Sequence, residues 1–371
     1  MRIALVADSI SRNNGGIAPV MYALARRLSA HGHEVRLFGG EDSHTATDCS
    51  MAGVSWCAAP VLWRKGIAYA PSLKTSLHDF APEIIHVHGI WCYAELVAAT
   101  MNVPFILSPH GMLDSWALNH SKWKKKIYAA CFEHRIFKKA DTIHALCQAE
   151  ACAIDNFHSG KKIVIIPNGV ELPSERSLLP TPDGKNELLF LGRLHPKKGV
   201  DNLIKAFGCI PQKNWRLVIA GWDQNGYETL LRRLAAENPN ADIVFSGPLF
   251  GQEKVAAFRR SSAFILPSLS EGLPMAVLEA WSYGLPTLLT DFCNLPEGFY
   301  AEASVRIEPE VNALKKQLCD FFTLPATERK KMGLRAEQLV QKNFSWDQVV
   351  ASYLDLYNSV MKSANKSGRK N

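Results

Sequence analysis

A rhythm that runs the length of the chain limits its fold more than any other feature. Short aliphatic and β-branched runs alternate with amphipathic stretches of helical spacing. Runs at residues 3–7, 34–38, 84–88, 104–108, 141–146 and 163–166 read as strands. Between them lie helical stretches such as residues 16–30, where Val20, Leu24, Arg27 and Leu28 follow a helical repeat. Runs that are apolar on both faces and separated by helices predict parallel strands covered on both sides. The rhythm pauses at Asn168-Gly169 and through residues 172–185, where three prolines stand among polar residues. It restarts with strands at 187–191, 215–220, 242–245, 263–267 and 286–290, and it closes with helices at 327–342 and 346–361. The pattern predicts an α/β protein of two doubly wound domains, residues 1–170 and 186–345, joined by a linker at 171–185. In such folds ligands sit beyond the carboxyl ends of the strands, so the loops after each strand are where chemistry is to be sought.

Composition narrows the function. A chain of 371 residues, 47% hydrophobic and 21% charged, has apolar material for two cores. No apolar run is long enough to span a bilayer. The opening Met1 to Val6 run stops at Asp8 with no small-residue cleavage site, so it reads as a first buried strand rather than a leader. Nine cysteines are scattered with no C-x-x-C pair. Several of them (Cys131, Cys147, Cys209) lie in apolar surroundings, which points to a reduced, cytoplasmic setting and to no metal site. The net charge of +7 is concentrated locally, in Lys122 to Lys126 and in the tail from Lys362. The helix expected over 122–139 would carry Trp123, Ile127, Ala130 and Phe137 along one side. It reads either as a core-packed helix with a solvated face or as a basic, aromatic surface that meets anionic lipid. Nothing points to nucleic acid.

Two segments carry the chemistry. Ser270-Glu271-Gly272-Leu273-Pro274-Met275-Ala276-Val277-Leu278-Glu279-Ala280 follows the strand at 263–267. Pro274 suits a first helical position, which leaves N–H groups at Met275, Ala276 and Val277 directed at a possible anion. Glu271 stands in the loop and Glu279 lies one turn inside the helix, so one carboxylate can reach a bound sugar and the other a ribose. Taken alone, the two would be a cap and a surface glutamate. The second segment, Gly192-Arg193-Leu194-His195-Pro196-Lys197-Lys198-Gly199, follows the strand at 187–191. It offers a guanidinium fork at Arg193 and a compact ammonium at Lys198, the charges that a diphosphate requires.

Together these residues resemble the retaining glycosyltransferases of family 4, which have the GT-B fold of two Rossmann-like domains facing a cleft. The resemblance extends to Gly15-Gly16, His86-Val87-His88-Gly89, Ser108-Pro109-His110-Gly111, Pro167-Asn168-Gly169-Val170 and Ser246-Gly247. It implies a nucleotide-sugar donor held mainly by the second domain and an acceptor held by the first. Arg193 and Lys198 would hold the diphosphate, Glu279 the ribose and Glu271 the sugar, with the amides near Met275, Ala276 and Val277 completing the phosphate site. Gly192 would allow close backbone approach, and Ser246-Gly247-Pro248-Leu249 would lie along the base. Gly272 and Leu273 would help to shape the sugar pocket. Gly15-Gly16 would pass under the donor phosphates, His110 would stand near the reacting sugar, and the helix at 346–361 would return to the first domain.

His86 and His88 share one strand face, and at least one of them reads as structural. No second carboxylate occupies a nucleophile position and there is no Asp-x-Asp triplet, which favours a front-face, metal-independent displacement with the nucleotide-sugar as co-substrate and no cofactor. The expected acceptor is a glycan or lipid-linked saccharide, in a bacterial lipopolysaccharide, O-antigen or exopolysaccharide pathway at the inner face of the membrane. A dehydrogenase is disfavoured because no G-x-G-x-x-G follows a strand, although Glu41 follows the second one, and no phosphate-loop motif is present. A catalytically silent nucleotide-sugar-binding module is the remaining alternative.

Overall fold

The structure is a computed structural model. It describes all residues except 64–66, 115–122, 124–126, 176, 178, 182, 212–213, 224–225 and 367–371. The chain forms two compact units, Met1–Gly169 with Asp347–Asn371, and Val170–Trp346.

The first unit holds a seven-stranded parallel sheet: β1 (Arg2–Ser9), β2 (Glu34–Gly40), β3 (Trp56–Ala59), β4 (Ile84–His88), β5 (Phe105–Ser108), β6 (Thr142–Ala145) and β7 (Ile163–Ile165), in the order β3-β2-β1-β4-β5-β6-β7. All five residues of β4 are buried, as a central strand with helices on both faces requires. The second unit repeats the plan with six parallel strands: β8 (Asn186–Leu191), β9 (Trp215–Ala220), β10 (Ile243–Gly247), β11 (Ala263–Leu266), β12 (Thr287–Leu289) and β13 (Ser304–Arg306), in the order β10-β9-β8-β11-β12-β13. In each sheet the order reverses beside the first strand, between β1 and β4 and between β8 and β11. A crevice opens at the carboxyl ends of such a pair because the two connections leave in opposite directions.

Helix Trp346–Lys366 belongs to the first unit, apart from its opening residue. Val349, Val350, Tyr353, Leu356, Tyr357, Val360 and Ala364 form its buried stripe at helical spacing. Two of those residues also make polar contacts inside the unit: the Tyr357 hydroxyl meets His86 Nδ1 at 2.8 Å, and the Tyr353 hydroxyl meets His144 Nε2 at 3.4 Å.

Three expectations need correction. β3 and β13 were not legible in the sequence: they are edge strands of four and three residues, β3 running straight into Pro60 and β13 lacking an apolar run. Cys131 and Cys209 are exposed, and of the three cysteines expected in apolar surroundings only Cys147 is buried. The expected single helix over 122–139 is interrupted by a π-helical turn at Ala129–Glu133, followed by an α-helix at His134–Lys139. A π turn inserts a residue into the helical repeat and rotates the rest of the helix about its axis. Trp123 and Ile127 are therefore exposed while Phe137 is fully buried, and the three do not share a face. Lys122 and Lys124 to Lys126 lie outside the described residues.

Candidate functional site

In the second unit the predicted donor residues gather at the switch between β8 and β11. The loop after β8 carries Lys198 and the loop after β11 carries Glu271, and their side chains meet at 2.5 Å between Nζ and Oε1. Both are largely buried, with side-chain exposures of 14% and 8%. Ser268 donates to the same Glu271 oxygen at 2.5 Å. The loops can lie this close because Gly199 carries no side chain: it has φ +65°, and a Cβ there would stand 2.3 Å from the Pro267 carbonyl oxygen. The Leu269 amide donates to the Lys197 carbonyl at 2.7 Å and ties the loops together.

The strand ends beside this pair are equally tight. The Gly192 amide donates to Ala220, and the Gly221 amide donates to Gly247. A Cβ on Gly221 would stand 1.9 Å from the Gly192 oxygen. Arg193 lies over the Trp222 ring, 5.9 Å from its centroid. His195 sits within the field of Arg193, Lys197 and Lys198, and its pKa is held below the ordinary value by burial first and then by those three cations. Cations brought together on one loop repel each other, and an anion relieves that repulsion.

Helix Met275–Ser282 begins at Met275, with Pro274 as its cap rather than its first helical residue. Of the three amides expected to face an anion, Val277 is buried and donates to the Pro274 carbonyl at 3.0 Å. That tight first turn removes it from the set. The Asn294 side-chain amide donates to the Glu271 carbonyl at 2.6 Å and to the Gly272 carbonyl at 3.1 Å. It thus occupies the oxygens one turn back from Met275 and Ala276, whose amides remain at the helix start. Glu279 does not stand alone: Lys254, from helix Gly251–Arg260, meets its Oε1 at 2.6 Å. Ser246 and Gly247 are the last residues of β10 rather than part of the loop, Ser246 and Pro248 are exposed, and Leu249 packs partly against the core.

In the first unit Gly15, with φ +59°, closes a short turn, and Gly16 caps helix Ile17–Ala30. A Cβ on either glycine would meet no protein atom within 4 Å, so packing within the unit does not demand Gly16. His110 follows β5 in a left-handed conformation, φ +54°, which is costly for a residue with a side chain. Glu150 secures that loop, its carboxylate accepting from the Gly111 amide at 2.6 Å and the Leu146 amide at 2.7 Å.

His110 belongs to a cluster of four imidazoles. His86 and His88, at the end of β4, are both buried, and His88 Nδ1 lies 2.9 Å from His110 Nε2. Burial pushes all four imidazoles below their ordinary range, His144 to about 4 and His110 to about 3, with the charge of His144 adding to the effect on His110. They are neutral near pH 7, and their protons can be placed. The Ile166 carbonyl can only accept, so His144 Nε2 carries the hydrogen across 2.7 Å. His144 Nδ1 then accepts from Ser108, Ser108 accepts from His86 Nε2–H, and His86 Nδ1 accepts from Tyr357. His86 is thus a structural link between β4, β5 and the last helix. His88 Nε2 is buried without a partner. A bare lone pair costs less there than an orphaned N–H, so the His88 proton sits on Nδ1 and is donated to His110 Nε2. That leaves His110 with its own proton on Nδ1.

Ser268, Asn294, Lys254 and Glu150 were not legible as site residues, since each is an ordinary polar side chain without a motif around it. Among the described residues no three His, Cys, Asp or Glu side chains are grouped to hold a metal ion.

Comparison with known proteins places this geometry among relatives. Residues 173–339 match the family described as Glycosyl transferases group 1, and residues 15–169 match the Glycosyl transferase 4-like domain. An uncharacterized 41.2 kDa protein in the cps region of Klebsiella pneumoniae is 24% identical over 97% of this chain and 100% of its own length. The GDP-mannose:cellobiosyl-diphosphopolyprenol alpha-mannosyltransferase of Xanthomonas oryzae pv. oryzae is 24% identical, over 79% of this chain and 77% of its own. Anabaena Alr3699/HepE, solved in complex with UDP and glucose, superposes with a TM-score of 0.77 at 15% identity, covering 97% of this chain and 100% of that one.

Proposed function

The chain belongs to the group 1 glycosyltransferases, with the GT-B fold of two parallel-sheet α/β domains, and we propose that it moves a sugar from a UDP- or GDP-type donor to a glycan or lipid-linked saccharide with retention of configuration. The observation that carries this reading is the buried Lys198–Glu271 pair at the strand-order switch of the second unit, with Arg193 on the same loop and the start of helix Met275–Ser282 beside it. A diphosphate entering there exchanges its charge for that of Glu271 on Lys198, and the freed carboxylate turns to the sugar. Glu279 holds the ribose, and Ser246, Gly247, Pro248 and Leu249 border the base.

Charge builds on the leaving diphosphate as the anomeric bond breaks. Arg193, Lys198 and the amides of Met275 and Ala276 stabilise it, with no metal ion or cofactor. The acceptor hydroxyl attacks from the face the diphosphate leaves, and the departing phosphate takes its proton. The room left at Gly15 and Gly16 and the Nδ1–H of His110 support their roles toward donor and acceptor, His110 acting as a neutral hydrogen-bond donor to the sugar. We place the chain in a surface-polysaccharide pathway at the inner face of the cytoplasmic membrane; the Klebsiella relative's name sets that protein in a cps region, and the Xanthomonas relative's name gives that enzyme a diphosphopolyprenol-linked acceptor. No described helix is long and apolar enough to cross a membrane.

The test is a melting-temperature screen against UDP-, GDP-, ADP- and dTDP-sugars, and then turnover with the donor that stabilises most. Transfer or donor hydrolysis should persist in EDTA. Absence of both with every donor would identify a silent binding module, and loss in EDTA restored by magnesium would refute metal independence. His110→Ala should lower turnover on the order of a hundredfold while leaving donor affinity within a few-fold, because its contact is at the reacting centre. Unchanged turnover would return His110 to the structural cluster. For the exposed face of Trp123 and Ile127, replacing Lys124, Lys125 and Lys126 by Glu should weaken binding to anionic vesicles by about 1 kcal/mol per lysine. Equal vesicle binding before and after would remove the membrane from this proposal.

A further inference from the structure

We infer that Lys254 is a positioning residue that locks the Glu279 carboxylate and makes the donor site select ribonucleotides over 2′-deoxyribonucleotides. The inference rests on the reading of Glu279 as the ribose contact.

Lys254 is poorly placed for stability. It lies in the first turn of helix Gly251–Arg260, where the helix dipole disfavours a cation. Ala257 and Phe258, three and four residues on, are buried, so Lys254 stands on the inward stripe where an apolar residue would pack. Its ammonium nevertheless reaches across to helix Met275–Ser282 and meets Glu279 Oε1 at 2.6 Å, with side-chain exposures of 31% and 25%. The pair is partly withdrawn from water, so desolvation offsets part of its Coulombic gain and its contribution to folding is small.

The contact does have a consequence for binding. An ammonium on Oε1 fixes which way the second oxygen points. An oriented carboxylate of this kind is satisfied by the adjacent 2′- and 3′-hydroxyls of a ribose. A 2′-deoxyribose offers one donor fewer, and an acceptor partly withdrawn from water then goes unpaired. Lys254 needs no contact with the nucleotide to exert this effect.

The experiment is calorimetric binding of UDP, GDP and their 2′-deoxy counterparts to the parent, Lys254→Met, Lys254→Arg and Glu279→Gln. The parent should prefer the ribonucleotide by about tenfold, the value of one hydrogen bond to a charged group. Glu279→Gln should lose affinity and most of that preference. Lys254→Met should weaken the ribonucleotide until it binds like the 2′-deoxy form, whose own affinity stays within about twofold of the parent's. Lys254→Arg should restore the preference. Equal weakening of both forms in Lys254→Met would mean that the ammonium touches phosphate directly, and an unchanged preference would mean that it does nothing for the ribose. Either result overturns the inference while Glu279→Gln still weakens binding. If Glu279→Gln binds both forms as the parent does, the ribose reading itself falls, and this inference with it.

Discussion

Lys198→Ala should lose stability and nucleotide affinity together, whereas Glu271→Gln should bind free nucleoside diphosphate at least as tightly as the parent and yet lose turnover. Both side chains are largely buried and held at 2.5 Å. Removing the cation leaves a carboxylate in a poorly solvated place without its counter-charge, although Ser268 still donates to it. Breaking such a pair costs about 3 kcal/mol, which for a unit of this size lowers the melting temperature by roughly 6–12 °C. Diphosphate affinity should fall more than about tenfold, because a charge-assisted hydrogen bond goes with it. In Glu271→Gln the ammonium is released from its internal partner, so the diphosphate no longer competes for it. The sugar loses its carboxylate, and turnover should fall on the order of 10²-fold. The double variant should recover most of the lost melting temperature without recovering affinity. Melting curves, calorimetry with UDP and GDP, and turnover with the identified donor measure the three quantities. A Lys198→Ala protein that melts and binds like the parent would show that the pair is not the diphosphate site.

The second large effect lies in the first unit, away from the proposed chemistry. Glu95 and Glu133 are both fully buried and lie against each other, and the Cys92 amide donates to Glu95 Oε1 at 2.9 Å. Burial raises both above the ordinary value of 4.5, the neighbouring Glu133 charge adds to the effect on Glu95, and Glu133 reaches about 7. Between pH 4.5 and 7 the folded state therefore holds a proton that the unfolded chain has released. The stability this contributes is complete below pH 4.5 and is lost as pH rises through 7, a difference of about 3 kcal/mol. Glu133→Gln keeps the shape and removes the Glu133 titration, leaving that of Glu95 without its neighbour's charge. Its advantage over the parent should grow from near zero at about pH 4.5 to about 3 kcal/mol at about pH 8. The buried histidines act in the opposite sense. His144 is lowered to about 4, so its contribution is complete above pH 6.5 and is lost as pH falls toward 4. Denaturant melts of parent and Glu133→Gln between about pH 4.5 and 9 separate the two effects. A difference that stays flat with pH would show that Glu133 is not held protonated.

The central strands and most long helices were legible because their signal is local. β11 is a continuous apolar run, and β4, β8 and β9 are apolar apart from His86 and His88, Asn186 and Glu187, and Arg216, a composition that strands covered on both faces favour. The spacing of Glu271 and Glu279 and the cations of the loop after β8 were likewise visible, as was the likeness of the whole pattern to one family. What the sequence could not supply was pairing. Lys198 meets Glu271 across 73 positions only because β8 and β11 are neighbours in the sheet, and the contact depends on Gly199 letting the two loops approach. Lys254 finds Glu279 because two helices lie side by side, and no periodicity within either one records it. Val277 leaves the anion site through one tight turn at Pro274, a matter of backbone angles rather than residue type. The π turn at Ala129–Glu133 rotates Phe137 into the core and away from Trp123, which an unbroken helical repeat does not allow. The state of His110 arises from burial beside His88 and His144, which lie far from it in sequence and on neighbouring strands. Local spacing determined which residues form each element; strand order, close backbone approach and desolvation, which arise only when distant segments meet, decided which charges are paired and which protons are held.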